Sequence, residues 1–190
     1  MKATSSKSPG FAAPDAITLL TQDHQAVQKI FKEFHKLKQN GGSAEEKSKL
    51  VLRACRELII HTQIEEEIFY PAVRDGIEDE DLMDKAEVEH DSARDLISQL
   101  EAMDPMDELY DARFTVLGEY INHHVKEEQD EMFPKAKKAK LDLAELGTEL
   151  AQRKEELQAK LGTLDEDVED DDEESVPHLL RPKRQVGGRR

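Results

Sequence analysis

Apolar side chains recur at alternating steps of three and four residues, which is the spacing of one face of an α-helix. The first such segment runs from Asp15 to the turn-forming residues 39–42, and its stripe contains Ile17, Leu20, His24, Val27, Phe31 and Phe34. The second starts at Ser43 and Glu46, which have capping-box spacing, and closes at 75–76. Its stripe contains Val51, Ala54, Leu58, His61, Glu65, Ile68 and Ala72. The pattern predicts two amphipathic helices.

Two further helices follow the same rule. The third starts among residues 79–81, whose acids suit a helix N-terminus, and its stripe contains Met83, Ala86, His90, Ala93, Ile97 and Leu100. The fourth is predicted to start at Pro105 with Asp104 as its N-cap, and its stripe contains Tyr110, Phe114, Leu117, Ile121, His124 and Glu128. No stretch has a convincing strand pattern. Four helices with short loops predict an all-α, up-down-up-down four-helix bundle.

The rest of the chain divides by composition. Residues 1–14 are rich in Ser, Lys, Pro and Gly and are expected to be a disordered lead-in to the bundle domain at 15–138. An additional amphipathic helix is expected over 139–162, where a leucine stripe can pack on the bundle or on a protein partner. Residues 163–190 are an acidic run followed by a basic stretch, which predicts a disordered tail.

Composition narrows the functional classes. The formal net charge is −16, which argues against a nucleic-acid partner because phosphates would repel the chain, with the basic C-terminal stretch as the one reservation. The single cysteine, Cys55, cannot form an intrachain disulfide. No apolar run approaches the ~18 residues of a membrane span, and the first residues lack the apolar core of a secretory signal. We therefore expect a cytoplasmic protein with no membrane partner.

The four stripes also contain polar groups. Each includes one histidine, and two of them add a glutamate one helical turn later; counting from the helix ends places all six at one level of an antiparallel bundle: His24, His61, Glu65, His90, His124 and Glu128. Six buried polar groups would be costly without a partner. Imidazole and carboxylate suit iron, manganese or zinc, and six ligands are too many for one tetrahedral zinc. The pattern predicts two metal ions, each held by two histidines, with the glutamates bridging.

The order of these residues resembles the hemerythrin-like HHE cation-binding domain over residues 15–138. The surrounding sequences Thr21–His24, Glu65–Pro71 and Glu127–Pro134 strengthen the resemblance. It implies a four-helix bundle with a carboxylate-bridged, non-haem di-iron centre held by the same six residues, other divalent metals being the alternative. Proteins of this family bind dioxygen, sense oxygen, iron or nitric oxide, handle peroxide, or help to repair iron–sulfur centres.

The third helix departs from the oxygen-carrying hemerythrins. Those proteins have a His-x3-His pair there, whereas the residue four positions after His90 is Arg94. They also have an aspartate where this chain has Glu128 at a different spacing. These differences weigh against reversible oxygen carriage and leave the broader HHE group as the match.

Other candidates have weaker support. His123 competes with His124 because Glu127 follows it by four residues, but the apolar stripe selects His124. Glu87 lies three residues before His90, which is the spacing of ferritin-like di-iron proteins. A second such pair is absent from the sequence, so the ferritin-like bundle is the alternative architecture.

Further side chains are assigned ordinary structural roles. Tyr120 lies one turn before His124 and is expected to pack in the core rather than line a ligand pocket. Cys55 is expected to be a small buried apolar residue. Glu66, like Glu67, Glu127 and Asp130, is expected on a solvated face rather than among the ligands.

Two classes of function fit this sequence. One is a binding or sensing module that takes dioxygen, nitric oxide, peroxide or iron itself, for example in a stress response, with a protein partner contacting the C-terminal helix and tail. The other is a redox di-iron enzyme that decomposes peroxide, oxidises iron or repairs iron–sulfur centres. A weaker third interpretation gives the basic tail a structural or nucleic-acid-associated role.

Overall fold

The computed structural model describes residues 13–166, with side chains described as far as residue 161. Within this part the chain forms two π-helical turns and seven α-helices: α1 (Ala16–Gln39), α2 (Ala44–Ile64), α3 (Tyr70–Gly76), α4 (Glu80–Glu101), α5 (Tyr110–Glu127), α6 (Phe133–Lys138) and α7 (Leu143–Glu166). These residues form no strand, and the predicted all-α class is confirmed. The predictions for residues 1–12 and 167–190 lie outside the described residues.

Side-chain caps determine where the long helices begin. Asp15 and Asp79 each accept a hydrogen bond from a backbone N–H in the first turn of α1 and α4. Ser43 and Glu46 form the predicted capping box at the start of α2. Each cap satisfies an N–H that the first helical turn leaves without an intrahelical partner. The predicted starts of these three helices are confirmed.

The fourth helix of the bundle starts later than predicted. Its first residue is Tyr110, not Pro105. The Asp104 side chain accepts a hydrogen bond from the Met106 backbone N–H at 2.8 Å, and residues 104–109 form turns. A side chain that bonds the backbone two residues ahead stabilises a turn in competition with a helix. The predicted N-cap at Asp104 was therefore wrong.

A π-helical turn follows each His-x3-Glu pair. The two turns span Glu65–Phe69 and Glu128–Met132. In each, a backbone N–H reaches the carbonyl five residues back, from Tyr70 to Glu65 and from Phe133 to Glu128. Such turns insert one residue into an α-helix and occur often at functional sites. Helices α2 and α3, and likewise α5 and α6, are thus continuous rods with one wide turn.

The inserted residue changes which side chains face the core. A constant helical period predicts Ile68 and Ala72 on the buried stripe, but both are only partly buried. Phe69 and Val73 are wholly buried in their place. Pro71 explains the change, because it has no N–H and its ring clashes with the carbonyl four residues back, which a wide turn moves away. A constant helical period misses this shift.

The bundle has two apolar clusters, one on each side of the level that holds the histidines. One cluster includes Val27, Leu58, Ala93 and Ile121, and the other includes Leu20, Ile64, Ala86 and Met132. Helix α7 packs on α1 and α2, and its Leu150 and Leu157 are buried in the second cluster. The leucine stripe of α7 therefore faces the bundle. No helix in the described part of the chain is long and apolar enough to cross a membrane.

Candidate metal centre

Six buried polar side chains meet between the two apolar clusters. They are the six residues that the stripes single out, each at most 6% exposed: His24, His61, Glu65, His90, His124 and Glu128. Their nitrogen and oxygen atoms form two groups, within each of which the atoms lie no more than 4.8 Å apart: His24, His61, Glu65 and Glu128 in one, and Glu65, His90 and His124 in the other. The structure brings all six together, and Glu65 belongs to both groups.

The four imidazole rings direct their Nε2 atoms inward. His24 Nε2 lies 3.0 Å from His61 Nε2, and His90 Nε2 lies 3.0 Å from His124 Nε2. Two nitrogens that bind one ion at about 2.1 Å lie about 3 Å from each other. Each histidine pair therefore has the spacing needed to bind one ion.

Each glutamate faces histidines of both pairs. Glu65 Oε1 lies 3.3 Å from His61 Nε2, and its Oε2 lies 3.4 Å from His90 Nε2. Glu128 Oε2 lies 3.1 Å from His24 Nε2 and 3.6 Å from the Nε2 atom of the remaining histidine. This is the arrangement of carboxylates that can bridge two ions.

The two halves of the bundle, α1–α3 and α4–α6, carry their polar residues at equivalent positions. The first half has Asp23-His24, His61, Glu65-Glu66 and Tyr70-Pro71, where the second has Glu89-His90, His124, Glu128-Gln129 and Phe133-Pro134. In both halves the residue before the first histidine faces Nδ1 of the second histidine. The residue after each glutamate faces Nδ1 of the first histidine in the opposite half.

Carboxylates orient both rings of the second half. Glu89 Oε2 lies 2.8 Å from His124 Nδ1, and Glu66 Oε1 lies 2.9 Å from His90 Nδ1. An ionised carboxylate only accepts hydrogen bonds, so each Nδ1 donates its proton and leaves the Nε2 lone pair directed at the centre. The position of Glu66 corrects the prediction of a solvated face. The sequence did not indicate either contact, because both join different helices.

The rings of the first half are held by longer contacts. Asp23 Oδ2 lies 3.6 Å from His61 Nδ1, beyond hydrogen-bond distance, and the Gln129 side-chain nitrogen lies 3.2 Å from His24 Nδ1. Lys154 of α7 forms a hydrogen bond with Asp23. The extra helix thus contacts the centre through one intervening side chain.

Cations hold the orienting carboxylates of the second half. Arg94, at the position where oxygen carriers have a histidine, donates to Glu66 at 2.6 Å. Lys85 Nζ lies 3.8 Å from Glu89 Oε1. Arg94 therefore supports the ring of His90 through Glu66, without facing the centre itself.

Tyr70 lies at the centre, although the sequence analysis did not select it. Its hydroxyl donates to Glu128 Oε1 at 2.9 Å and lies 3.1 Å from His90 Nε2. Its ring stacks on His90 with the centroids 5.2 Å apart. The π-helical turn before Tyr70 directs this side chain inward, so the missed signal was the proline that follows it. Tyr120, which lies one turn before His124, is half-buried on α5.

The two glutamates have opposite electrostatic environments. Burial and the neighbouring charge of Glu128 raise the pKa of Glu65 well above its usual value. Burial acts on Glu128 in the same direction, but His124 and His24 outweigh it and lower the pKa of Glu128. Burial also lowers the pKa of His61 to about 4. The centre therefore disfavours a second negative charge unless a cation compensates for it.

The donor set fits metal ions. Both carboxylate oxygens of Glu65 and Oε2 of Glu128 are buried, and no described residue is hydrogen-bonded to them. Unsatisfied buried carboxylate oxygens are costly, and a bound cation removes that cost. The donors are nitrogen and oxygen, because Cys55 lies in an apolar cluster where burial raises the pKa of its thiol to about 12. Such donors suit iron, manganese or zinc.

The weaker candidates lie away from the centre. His123 is on the surface with a 61% exposed side chain, and its neighbours are Glu89 and Glu127. Glu87 pairs with Arg74 at 2.9 Å on the outside of the bundle. Glu87 does not reach the six clustered side chains. It therefore cannot be the metal ligand that the ferritin-like alternative requires.

Comparisons with known proteins point to one family. A family model described as the hemerythrin HHE cation binding domain matches residues 15–136. The fold is similar to the crystal structure of a hemerythrin HHE cation binding domain-containing protein from Mycobacterium kansasii, with a TM-score of 0.66. The two chains are 24% identical, and the match covers 77% of this chain and 89% of that chain. No curated protein matches the chain.

Proposed function

The chain belongs to the hemerythrin HHE cation-binding domain family, and on that premise we propose that it is a non-haem di-iron protein. Six side chains hold the two ions: His24, His61, Glu65, His90, His124 and Glu128. One observation carries the proposal: each glutamate faces a histidine of both pairs, at distances of 3.1 to 3.6 Å. A bridging carboxylate requires this placement, whereas two independent buried ion pairs do not.

The protein's own residues prepare the donor atoms and exclude water. A pair of iron ions held by these six residues would supply redox chemistry and would take small ligands such as dioxygen, nitric oxide or peroxide. Glu66 and Glu89 keep protons on the outer ring nitrogens, so the inner nitrogens remain free to bind. Phe133 stacks on His24 with the centroids 5.8 Å apart, and Phe69 packs against Phe133. These aromatic rings close the centre on the side of the second cluster.

We assign the protein to the class of binding or sensing modules. A narrow groove of about 10 Å³ is lined by His124 and Glu128 and by surface residues of the second half. That volume holds about one water-sized molecule, which suits a diatomic ligand or peroxide better than an organic substrate. The chain after residue 166 is the segment we expect to contact a protein partner and report the bound state.

A redox enzyme is the second candidate, and Tyr70 is the observation that favours it. Its hydroxyl holds a proton beside Glu128 and His90. A positioned proton donor contributes about a hundredfold or more to turnover. Peroxide turnover by the iron-loaded protein that falls about a hundredfold in Tyr70→Phe would identify an enzyme. Ligand binding without turnover would identify a module.

The variant Glu65→Gln tests the proposed ligand set. Wild-type protein reconstituted with Fe²⁺ is expected to hold about two ions per chain, and the variant is expected to hold fewer. The raised pKa of Glu65 means that its ionised form is disfavoured in the fold, so its contribution to stability is lost as pH rises above its usual value of 4.5. The metal-free variant is therefore expected to be more stable than the metal-free wild type at neutral pH.

The control is Glu131→Gln, which removes the same charge from an exposed position of the second π-helical turn. It should leave both metal content and stability unchanged. Replacing a residue that only supports the fold would lower the stability of the protein. A variant that is more stable without metal and also binds less metal therefore identifies a ligand. Unchanged metal content in Glu65→Gln would refute the proposed centre.

A further inference from the structure

A second cluster of potential ligands lies on the surface of the second half. It consists of Glu89, His123 and Glu127, and each residue offers one ligand atom within 4.8 Å of the others. His123 Nε2 lies 3.5 Å from Glu127 Oε1 and 3.9 Å from Glu89 Oε1. Glu89 is 7% exposed, whereas the His123 side chain is 61% exposed. The cluster therefore reaches from solvent into the bundle.

A lysine ammonium group occupies this cluster. Lys85 Nζ forms a hydrogen bond with Glu127 and lies 3.8 Å from Glu89 Oε1. The two carboxylates thus favour a positive charge between them. Lys85 is about half exposed, and its flexible side chain can move into solvent when another cation arrives.

Glu89 connects this surface cluster to the buried centre. Its Oε1 atom faces His123, and its Oε2 atom is 2.8 Å from His124 Nδ1. The groove of about 10 Å³ is lined by Glu89 and Glu127 and also by His124 and Glu128. Glu128 Oε2 is buried and has no hydrogen-bond partner among the described residues. The groove therefore connects a cation bound at the surface cluster with Glu128, whose Oε2 atom has no hydrogen-bond partner among the described residues.

The first half shows that the fold does not require these polar residues. At the positions equivalent to Lys85, His123 and Glu127, the first half has Leu19, Ile60 and Ile64. All three are buried in the apolar cluster that includes Leu150 and Leu157 of α7. The same two-helix surface is thus apolar and covered in one half, and polar and exposed in the other.

We propose that Glu89, His123 and Glu127 form a surface site for a divalent metal ion, and that this ion then reaches the buried centre through the groove. An imidazole and two carboxylates suit first-row divalent ions such as Fe²⁺, Co²⁺ and Mn²⁺. The remaining positions around the ion are open to water, so the site binds weakly enough to release it. The loading role rests on the proposed function of the buried centre, whereas ion binding at the surface site does not.

Occupancy of the surface site is tested on protein whose buried centre is first filled with Zn²⁺. Paramagnetic Mn²⁺ is then added in small amounts, and the proton signals of the histidine rings are followed by NMR. We expect selective broadening of the His123 signals. His35 is the internal control, because it is also exposed and its ring is hydrogen-bonded to the uncharged side chain of Gln39 at 2.8 Å. Equal broadening of both histidines, or none, would overturn the site.

The loading role is tested with the double variant His123→Asn/Glu127→Gln. Co²⁺ uptake measured by stopped-flow absorbance should be about tenfold slower than in wild type, because the local attraction for cations is lost. The final metal content and spectrum should be the same. The control His35→Asn/Glu33→Gln makes the same chemical changes on α1 and should load at the wild-type rate. Lys85→Gln should load faster, because the competing cation is removed.

The outcomes separate this inference from the proposed function. If the double variant takes up two ions as fast as wild type, the loading role fails and the buried centre stands. If wild type takes up no ions, or if Glu65→Gln takes up as many as wild type, the proposed centre fails instead. Binding of Mn²⁺ at His123 would still support the surface site in that case.

Discussion

Helix α7 covers the outer side of the His24–His61 pair, whereas the equivalent side of the second half is open to solvent. In the first half, Leu19 and Ile60 are 6% and 2% exposed beneath α7. Their equivalents in the second half are Lys85 and His123, whose side chains are 48% and 61% exposed. The two halves therefore have the same inner arrangement of ligands but differ in how far their outer faces are exposed to solvent.

The inner and outer faces of the same helices meet different requirements: ligand geometry on the inner face and packing on the outer face. The inner faces carry the same ligand types in both halves, because binding an ion restricts donor type and distance closely. The outer faces are restricted only by what packs on them, so one became apolar beneath α7 and the other stayed polar. We infer that α7 closes one side of the centre and leaves the other as the route for ions and small ligands.

Weakening the packing of α7 on the bundle should have the largest effect on stability. Leu150 is wholly buried between α7 and the bundle, and Leu150→Ala should lower the free energy of unfolding by about 2–5 kcal/mol, because a cavity remains where the side chain was. Urea unfolding followed by circular dichroism measures this change. Hydrogen exchange should become faster in α1 and α2 near His24 and His61, while α4 and α5 change less.

The control for this prediction is Leu52→Ala, since Leu52 is 55% exposed on α2. Its effect should stay within about 0.5 kcal/mol. Equal acceleration of exchange in all four helices would show that α7 stabilises the bundle as a whole and does not cover one half in particular.

The pH dependence of stability should distinguish the two equivalent histidines His61 and His124. Burial lowers the pKa of His61 to about 4 from 6.5, so the unfolded chain binds a proton there before the folded protein does. His61 alone should reduce the stability of the metal-free protein by roughly 3 kcal/mol as pH falls from 6.5 to 4. His124 behaves oppositely: although burial opposes it, Glu128 and Glu89 raise its pKa, so its contribution is full below 6.5 and is lost as pH rises.

Urea unfolding of chelator-treated protein below and above pH 6.5 gives the measurement. His61→Asn should flatten the loss of stability as pH falls below 6.5, and His124→Asn should flatten the loss of stability as pH rises above 6.5. The signs differ because burial dominates at His61, where Asp23 is 3.6 Å away, whereas at His124 the charge of Glu128, together with Glu89 at 2.8 Å, outweighs burial. If both variants changed the slope in the same direction, the two halves would be electrostatically alike and the comparison would fail.

The apolar periodicity predicted those parts of the molecule that depend on one helix alone. The start of α1 at Asp15 and the capping box at Ser43 depend on local sequence and local hydrogen bonds, and both lie where they were predicted. The six polar side chains lie on the stripes because the helical period is regular as far as Glu65 and Glu128. Beyond Glu65 the register moved by one residue, since a π-helical turn before Pro71 interrupts the period.

Features that depend on how helices rotate against each other could not be predicted from the stripes. Glu66 reaches His90, and Glu89 reaches His124, across helix interfaces. A stripe gives the side of one helix, but not the partner that an adjacent side chain meets. The sequence did not predict where α7 packs, for the same reason. Its leucines could pack on any apolar surface, and only the structure shows that they share a cluster with Leu19 and Ile60.

Among the differences between the two halves, one hydroxyl group lies closest to the six clustered side chains. Tyr70 stacks on His90 and donates to Glu128, whereas its equivalent Phe133 stacks on His24 and has no hydroxyl to donate. Tyr70→Phe makes the two halves alike at this position. The metal-free variant should lose about 1 kcal/mol of stability, the usual value of one hydrogen bond.

The iron-loaded protein gives the sharper measurement. Because the hydroxyl lies beside only one histidine pair, the two irons of the wild type should be distinguishable in a Mössbauer spectrum, and those of Tyr70→Phe should be more nearly alike. Tyr110→Phe, which changes another buried tyrosine in the other apolar cluster, should leave the wild-type spectrum unchanged. If the two irons of Tyr70→Phe remained as different as in wild type, their inequivalence would arise from the outer faces, the one beneath α7 and the one at the groove.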